Sequence, residues 1–384
     1  MNYRTYGKLG YEVSTLGLGC MRLPRTYDGS NKAEVDREKA YEIIRYAAAH
    51  GINYFDTALT YHNGDSENVL GEALEGGLRE KVKIATKQPF ANMKPNGGPR
   101  KNLEETLKKL RTDHIDIYLI HNIQAKDWED IKRAKVYDEY LKFREEGLIK
   151  AIGCSIHGDF PHFKNVIGEY PWDMVQIQQN IIDSDKEVTE EAIKLAGKIG
   201  CALVIMEPLR GGGLANAPRK VREIYDSYPV KRPAYEWAFR HVANYPQVSC
   251  ILSGMTTLDQ LKQNIEIFSM PDMVPRCLTE TEKTIIEEAK SAYKSLAAIP
   301  CTGCEYCMPC PKGVNIPRTF ATYNAGIMFE DFDQPKRSYM YQSKYSEGAD
   351  NCVACHACEK KCPQNLDIVN NLKTAHNALR GWIE

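Results

Sequence analysis

The 384-residue sequence contains no apolar run of about eighteen residues, so no segment has the length that a membrane-spanning helix requires. Its first residues, MNYRTYGKLGYEV, lack the charged and then apolar pattern of a secretory signal peptide. The 50 basic and 51 acidic side chains nearly cancel, which gives no reason to expect a nucleic acid or an anionic membrane as partner. These absences predict a soluble, cytoplasmic protein, and the 43% hydrophobic content allows a sizeable core.

The chain has 13 cysteines, and they are unevenly distributed. Eight fall in two short runs, CTGCEYCMPCP (301–311) and CVACHACEKKCP (352–363), which is unlike a disulfide framework that closes long loops. The other five are scattered over the first 300 residues and are predicted to be small core residues: Cys20, Cys154, Cys201, Cys250 and Cys277.

Each run places three cysteines at two-residue intervals, a spacing that wraps three corners of a cubane cluster. The fourth cysteine precedes a proline, and where two such runs coexist it binds the other cluster. The sequence therefore predicts two 4Fe-4S clusters, one held by Cys301, Cys304, Cys307 and Cys362 and the other by Cys352, Cys355, Cys358 and Cys310. The first run is one residue shorter than the bacterial ferredoxin spacing, between Cys307 and Cys310. Structural zinc is the alternative, although a third closely spaced cysteine has no role in a zinc site.

No strand candidate is followed by a GxGxxG motif, and the Walker A motif is also missing, which argues against an open, doubly wound sheet. Short apolar strand candidates instead recur at residues 14–19, 53–58, 82–87, 115–120, 150–156, 174–179, 202–208 and 248–254. Amphipathic helix candidates lie between them, at residues 36–51, 102–112, 128–147 and 189–200. Because buried strands that alternate with helices form a parallel sheet, these units predict a closed (β/α)8 TIM barrel. The turn residues within RTYGKLGYEV predict a hairpin that closes the barrel bottom.

The remaining chain predicts further helices. Residues 279–298 have the pattern of one helix, and the apolar spacing between Cys310 and Cys352 also favours helix over strand. We therefore expect a small α-helical ferredoxin-like iron–sulfur domain after the barrel. The predicted division is a barrel at residues 1–270, a connecting helix at 271–298 and a ferredoxin-type domain at 299–384.

Three consecutive strand candidates end in an ionisable residue: Asp56, Lys87 and His121. Each has an ordinary structural explanation, but together they fit the active-site edge of a barrel, where the strands end. Tyr61 lies five residues past Asp56, on the loop after the second strand candidate of the barrel, where it can reach over the barrel mouth. A phenol is a poor acid at neutral pH unless a cation stabilises its phenolate. We predict that Lys87 supplies this cation, that Asp56 holds the ammonium and that His121 donates to a carbonyl oxygen.

At these residues the sequence resembles the aldo-keto reductase family. The resemblance rests on FDTALTYHNGDSENVLGEAL, VKIATK, DIYLIHN and VSCILSGMTTLDQLKQNI and covers residues 1–270, and the whole chain is similar to the subgroup with a C-terminal ferredoxin-type domain. It implies that Asp56, Tyr61, Lys87 and His121 form the catalytic tetrad and that NADPH or NADH lies across the barrel mouth. It also implies cofactor contacts at Gly19, Met21, Asp56, Ser155, Gln176, Pro208, Leu209, Gly212, Gly254, Gln263 and Asn264, with Ser155 and Gln176 holding the carboxamide.

The sequence departs from this family at three places. Gln179 stands where a tyrosine usually stacks on the nicotinamide, and Ile156, followed by His157, stands where an asparagine is usual. Gly254 and Gln260 replace the basic residues that bind a 2′-phosphate. Phosphate recognition favours Arg or Lys, so the sequence does not decide between NADPH and NADH. A different cofactor in this pocket is a further alternative.

Three functional hypotheses follow. The first is a nicotinamide-dependent reductase of a small aldehyde or ketone, or dehydrogenase of an alcohol, whose clusters are structural or serve as an electron port. The second is an electron-transfer protein whose barrel binds a flavin or substrate that is reduced through the clusters by an external ferredoxin or flavodoxin, although no motif identifies a flavin site. The third is a binding or scaffold protein with a vestigial site. The tetrad favours the first hypothesis, and Gln179 with the missing phosphate contacts favours the second.

Overall fold

The computed structural model describes residues 1–27, 33–93, 97–184, 190–301 and 303–381. The chain divides into two compact units, one of residues 1–211 and 236–280 and one of residues 212–235 and 281–384. The division predicted from the sequence, with boundaries after residues 270 and 298, remains a proposal. No helix within the described ranges combines the length and hydropathy needed to cross a membrane.

The first unit is built on a closed barrel of parallel strands. The described strands are β1 (Tyr3–Thr5), β2 (Glu12–Ser14), β3 (Leu16–Gly19), β4 (Arg25–Tyr27), β5 (Ala33–Val35), β6 (Tyr54–Asp56), β7 (Lys83–Pro89), β8 (Ile115–Ile123), β9 (Ile149–Ile156), β10 (Met174–Gln178), β11 (Ala202–Met206) and β12 (Val248–Ser253). The barrel runs from β3 through β6 to β12 in chain order, and β12 pairs back onto β3. The predicted TIM barrel is therefore confirmed.

The predicted N-terminal hairpin is also present. β1 and β2 pair antiparallel, and the backbone N–H of Lys8 donates to the carbonyl of Gly200, just before β11 begins. Tyr6 is fully buried and its hydroxyl lies 3.0 Å from the hydroxyl of Tyr54 in β6. The hairpin thus closes the amino-terminal end of the barrel and leaves the opposite end open for a site.

The described helices flank the barrel or form the second unit. They are α1 (Arg37–Ala49), α2 (Ser66–Ala73), α3 (Pro99–Leu110), α4 (Ala125–Arg133), α5 (Val136–Glu145), α6 (Phe160–Glu169), α7 (Glu190–Lys198), α8 (Arg219–Asp226), α9 (Ala234–Ala243), α10 (Leu258–Ser269), α11 (Glu280–Ser295), α12 (Ile316–Met328), α13 (Asp333–Lys344) and α14 (Ile368–Leu379). The single helix predicted at 128–147 is two helices, because Lys135 adopts a left-handed backbone with φ +52°. Residue 189, the first of the helix predicted at 189–200, lies outside the described residues.

The second unit is helical, as predicted. Its core contains Val314, Ile316, Phe320, Tyr339, Ile368 and Leu372, contributed by α12, α13, α14 and nearby loops. The side chains of Arg232 and Glu282 form a buried ion pair within this unit. Of the five scattered cysteines, four are buried as predicted and Cys277 is half-buried, with its Sγ 3.6 Å from the carbonyl oxygen of Arg240.

The barrel interior is tightly packed around Gly17 of β3. A Cβ at this residue would lie 2.8 Å from Cys250 Sγ and from Leu252 Cδ2. We expect Gly17→Ala to destabilise the protein by about 1–3 kcal/mol through overpacking. Gly168→Ala is the control, since a Cβ there would meet no atom within 4 Å and alanine favours the helix. Thermal denaturation measures both, and a melting temperature for Gly17→Ala at or above that of the native protein would contradict the packing argument.

Candidate active site and cluster sites

Polar side chains converge at the carboxyl ends of adjacent barrel strands. Asp56 ends β6, Lys87 lies in β7, and Tyr61 begins a short 3-10 turn after β6. The Lys87 ammonium donates to Asp56 Oδ1 at 2.6 Å and to the carbonyl oxygen of Thr57 at 2.8 Å, and it lies 3.3 Å from the Tyr61 hydroxyl oxygen. Lys87 and Asp56 are only 1% and 3% exposed, so their attraction is little screened by water. The structure thus brings three of the four predicted catalytic side chains together.

His121 joins this group from β8, where it pairs in register with Pro89 of β7. Its ring centroid lies 5.9 Å from that of Tyr61 in an edge-on arrangement. Burial, with a smaller contribution from the Lys87 ammonium, lowers the pKa of His121 to about 3. The imidazole is therefore neutral at physiological pH, with one N–H to donate. Its Nδ1 is buried and has no hydrogen-bond partner among the described residues.

Burial and charge act in opposite directions on Tyr61. Burial raises the pKa of the hydroxyl, and the opposing effect of the Lys87 ammonium does not outweigh it. For Lys87, burial favours a lower pKa, but Asp56 and Tyr61 together raise it above the ordinary value. At neutral pH the site therefore holds a protonated phenol beside a charged ammonium. The sequence indicates the ammonium alone, and the structure adds the burial that keeps the proton on Tyr61.

The turn after Tyr61 is conformationally unusual. His62 and Asn63 both adopt left-handed backbone conformations, with φ of +50° and +56°. Such conformations cost about 1–3 kcal/mol each in a non-glycine residue, so the surrounding structure must hold them. Ser66 contributes to this, because its hydroxyl accepts from Thr57 at 2.9 Å and donates to the carbonyl of Cys20 at 3.1 Å. The turn is thereby fixed to the ends of β3 and β6.

Glu67 was not predicted from the sequence. It is fully buried on α2, and its Oε1 accepts from the hydroxyls of Thr86 at 2.7 Å and Thr106 at 3.1 Å. Burial raises the pKa of this carboxyl. Because Thr86 directly precedes Lys87, the carboxyl fixes the strand that carries the lysine. The local sequence gives no signal for it, because the neighbours Ser66 and Asn68 are also polar.

The residues expected at the carboxamide lie side by side. Ser155 of β9 and Gln176 of β10 pair in register, and each is 1% exposed. Ser155 Oγ accepts from the backbone N–H of Asn122 at 2.7 Å. Gln176 Oε1 is buried and has no hydrogen-bond partner among the described residues. The buried amide oxygen of Gln176 therefore lacks a donor, and it lies on the strand beside Ser155. The amide group of a nicotinamide would supply that donor.

Apart from Gly212, the other expected cofactor positions end or follow barrel strands or lie on α10. Gly19 pairs with Asp56, and Met21 is 54% exposed. Pro208 and Leu209 follow β11, Gly254 follows β12, Gln263 is exposed on α10, and Asn264 donates to Ser253 Oγ at 3.1 Å. Gly212 belongs to the second unit. Two of the departing residues, Gln179 and Ile156, are buried.

Four of the eight clustered cysteines share one cavity. The cavity is lined by Cys301, Cys304, Cys307 and Cys362. Its apolar walls include Ile316, Phe320, Leu366 and Ile368. These are the four thiols that the sequence assigns to the first cluster, and thiols around an apolar cavity fit a 4Fe-4S group.

The remaining four cysteines divide by exposure. Cys310, Cys352 and Cys358 are half-buried and pack against the core of the second unit, whereas Cys355 is exposed, as is Cys304 of the other set. Within the described ranges, no three His, Cys, Asp or Glu side chains are arranged to hold a single metal ion.

A closed parallel barrel with ionisable side chains at the carboxyl ends of its strands defines the class of TIM-barrel enzymes. Within that class the chain belongs to the aldo/keto reductase family, whose profile matches residues 15–280. Residues 300–366 match the profile of the 4Fe-4S dicluster domain.

Individual relatives agree with this assignment. The chain is 33% identical over 214 residues to a probable aldo-keto reductase 1 of Glycine max, a match that covers 54% of this chain and 59% of that relative. An aldo-keto reductase from Bacillus halodurans in a holo form superposes with a TM-score of 0.61 at 27% identity, over 75% of this chain and 96% of its own. An aldo-keto reductase from Klebsiella pneumoniae in complex with NADPH gives 0.59 at 18% identity, over 75% and 95% of the two chains, and shows likeness of fold alone.

Proposed function

We propose that the protein is an oxidoreductase that reduces a small aldehyde or ketone, or oxidises the corresponding alcohol, with NADPH or NADH. The observation that carries the proposal is the buried Lys87 ammonium, which contacts both Asp56 and the Tyr61 hydroxyl. A nicotinamide bound at the barrel mouth would supply the hydride. Gln176 and Ser155 would hold its carboxamide through the unpartnered amide oxygen and the neighbouring hydroxyl.

The protein's own residues would handle the proton. As negative charge develops on the substrate oxygen, the Tyr61 hydroxyl gives it a proton and the Lys87 ammonium stabilises the phenolate that remains. Asp56 keeps the ammonium charged and in place. The neutral His121 donates its N–H to the same oxygen, which orients the carbonyl carbon without adding a charge. In the reverse direction the same groups accept the proton of an alcohol.

The C-terminal unit is proposed to hold two 4Fe-4S clusters on its eight clustered cysteines. The apolar cavity around Cys301, Cys304, Cys307 and Cys362 supports the first set. A bound cluster would supply one-electron transfer or would stabilise this small unit. The exposure of Cys304 and Cys355 favours a second candidate function, in which an external ferredoxin or flavodoxin passes electrons to the clusters and the barrel binds a flavin or another acceptor.

The two candidates differ in what the barrel binds. We would purify the full chain without oxygen, measure iron, sulfide and flavin, and titrate it separately with NADPH and NADH while following nucleotide fluorescence. Turnover would be assayed with a reactive aromatic aldehyde such as 4-nitrobenzaldehyde. We expect nucleotide binding, flavin-free protein and aldehyde reduction. Cluster reduction by reduced ferredoxin together with no binding of either nucleotide would contradict the proposed function and favour the second candidate.

A further inference from the structure

The side chain of Arg22 lies beside Gly254, on the loop that follows β12. A Cβ at residue 254 would lie 3.1–3.3 Å from Cβ, Cγ and Cδ of Arg22. Arg22 ends the short 3-10 turn after β3, and its carbonyl oxygen accepts from the Thr256 hydroxyl at 3.0 Å. Both the backbone and the side chain of Arg22 thus lie against the start of the β12–α10 connection, more than 200 residues later in the sequence.

Gln260, the second residue that replaces a basic side chain, is occupied by the helix that carries it. Its Oε1 accepts from the backbone N–H groups of Thr256 at 2.8 Å and Thr257 at 3.3 Å, while Thr257 Oγ1 accepts from the N–H of Gln260 at 3.2 Å. This capping box satisfies free backbone donors at the start of α10. Gln260 therefore lacks the positive charge of the side chain it replaces, and its amide group is oriented by the cap through Oε1.

Arg22 is available to an anion. Its guanidinium is exposed and makes no hydrogen bond or ion pair with any residue in the described part of the chain. The neighbouring Arg210 is held by Asp183 through an ion pair of 3.1 Å. Glu207 lies within electrostatic reach of both arginines, but it is not within ion-pair distance of Arg22. Arg22 is therefore an exposed cation that has no partner among the described residues.

We propose that Arg22 binds the 2′-phosphate of NADPH, replacing from the β3 turn the cations missing at residues 254 and 260. The proposal rests on the proposed function, since it assumes that a nicotinamide dinucleotide extends along the β12–α10 connection. An arginine presents a planar fork of N–H donors that matches two oxygens of a phosphate. The small residue at 254 is part of the arrangement, because a Cβ there would press against the aliphatic stem of the arginine. The protein consequently prefers NADPH to NADH.

Equilibrium binding of NADPH and NADH to the full, cluster-loaded chain tests this, with calorimetry or nucleotide fluorescence as the readout. We expect Arg22→Gln to raise the Kd for NADPH roughly 10- to 100-fold and the Kd for NADH less than about threefold. Arg22→Lys should keep part of the preference because it keeps the charge. Arg133→Gln on α4, an exposed arginine paired with Asp130, removes the same charge elsewhere and should change neither constant.

An exchange variant gives a second measurement. Arg22→Gly removes the atoms that surround residue 254, so Gly254→Arg in the same chain has room and should restore the NADPH preference. The proposal is overturned if Arg22→Gln leaves the ratio of the two Kd values unchanged. An equal loss of affinity for both nucleotides would give that result and would indicate a pyrophosphate contact. Either outcome leaves the proposed function intact. A native protein that binds neither nucleotide contradicts the proposed function itself.

Discussion

Replacing Lys87 with methionine lowers kcat for carbonyl reduction by about 10²- to 10⁴-fold, the range attributed to a positioned acid. Methionine keeps most of the side-chain volume but removes the charge that stabilises the Tyr61 phenolate, and it leaves Asp56 as an unpaired buried carboxylate. Steady-state kinetics with saturating nucleotide and 4-nitrobenzaldehyde measure the effect. Nucleotide affinity should change much less than kcat, because Lys87 reaches the predicted dinucleotide contacts only through Asp56.

Tyr61→Phe should cause a loss of similar size. The double variant should be little worse than either single one, since lysine and tyrosine act as one proton-donating unit. Lys142→Met is the control, because Lys142 is an exposed surface lysine paired with Glu139. Undiminished turnover in Lys87→Met, or additive losses in the double variant, would show that these residues are not the acid unit.

The second large effect concerns the assignment of cysteines to clusters. Cys362→Ala should remove about half of the iron and sulfide, because three thiolates remain around the cavity that four of them line. Combining it with Cys301→Ala should remove no more, since both residues belong to the same cluster. Combining it with Cys352→Ala should remove nearly all of the iron. Iron and sulfide analysis with electron paramagnetic resonance of the reduced protein measures each case.

The control for the cluster variants is Cys277→Ala, a half-buried cysteine of the barrel unit that lies outside both runs. It should retain the full iron content. The opposite pattern, in which Cys362→Ala and Cys352→Ala together lose only half of the iron, would mean that each run supplies all four ligands of its own cluster. That outcome would contradict the exchange of the fourth cysteine.

The elements that carry the site were predictable because they depend on short-range patterns. An apolar run predicts a buried parallel strand, and a polar residue at its end predicts the carboxyl edge of the barrel. These two signals predicted that Asp56, Lys87 and His121 share one site. The break between α4 and α5 was not predicted. It depends on a left-handed lysine within a segment of good helix formers, and nothing in the local sequence indicates it.

Other features depend on contacts between distant parts of the chain. Arg22 meets Gly254 only because barrel closure places β3 beside β12. The net effect on the Tyr61 pKa required knowledge of its burial as well as of its neighbouring charge. The inclusion of residues 212–235 in the second unit likewise follows from long-range packing. In each case the residue types were visible, but the distance between them was not.

The most direct test of direct hydride transfer in the barrel follows the hydride itself. The full, cluster-loaded protein would be mixed without oxygen with the aldehyde and NADPH or NADH deuterated at the transferring position of C4, and the alcohol would be analysed by mass spectrometry. Direct transfer predicts one deuterium on the carbinol carbon of nearly every product molecule. Alcohol that carries hydrogen from solvent at that carbon would show that the electrons pass through the clusters or a flavin, and would contradict the account.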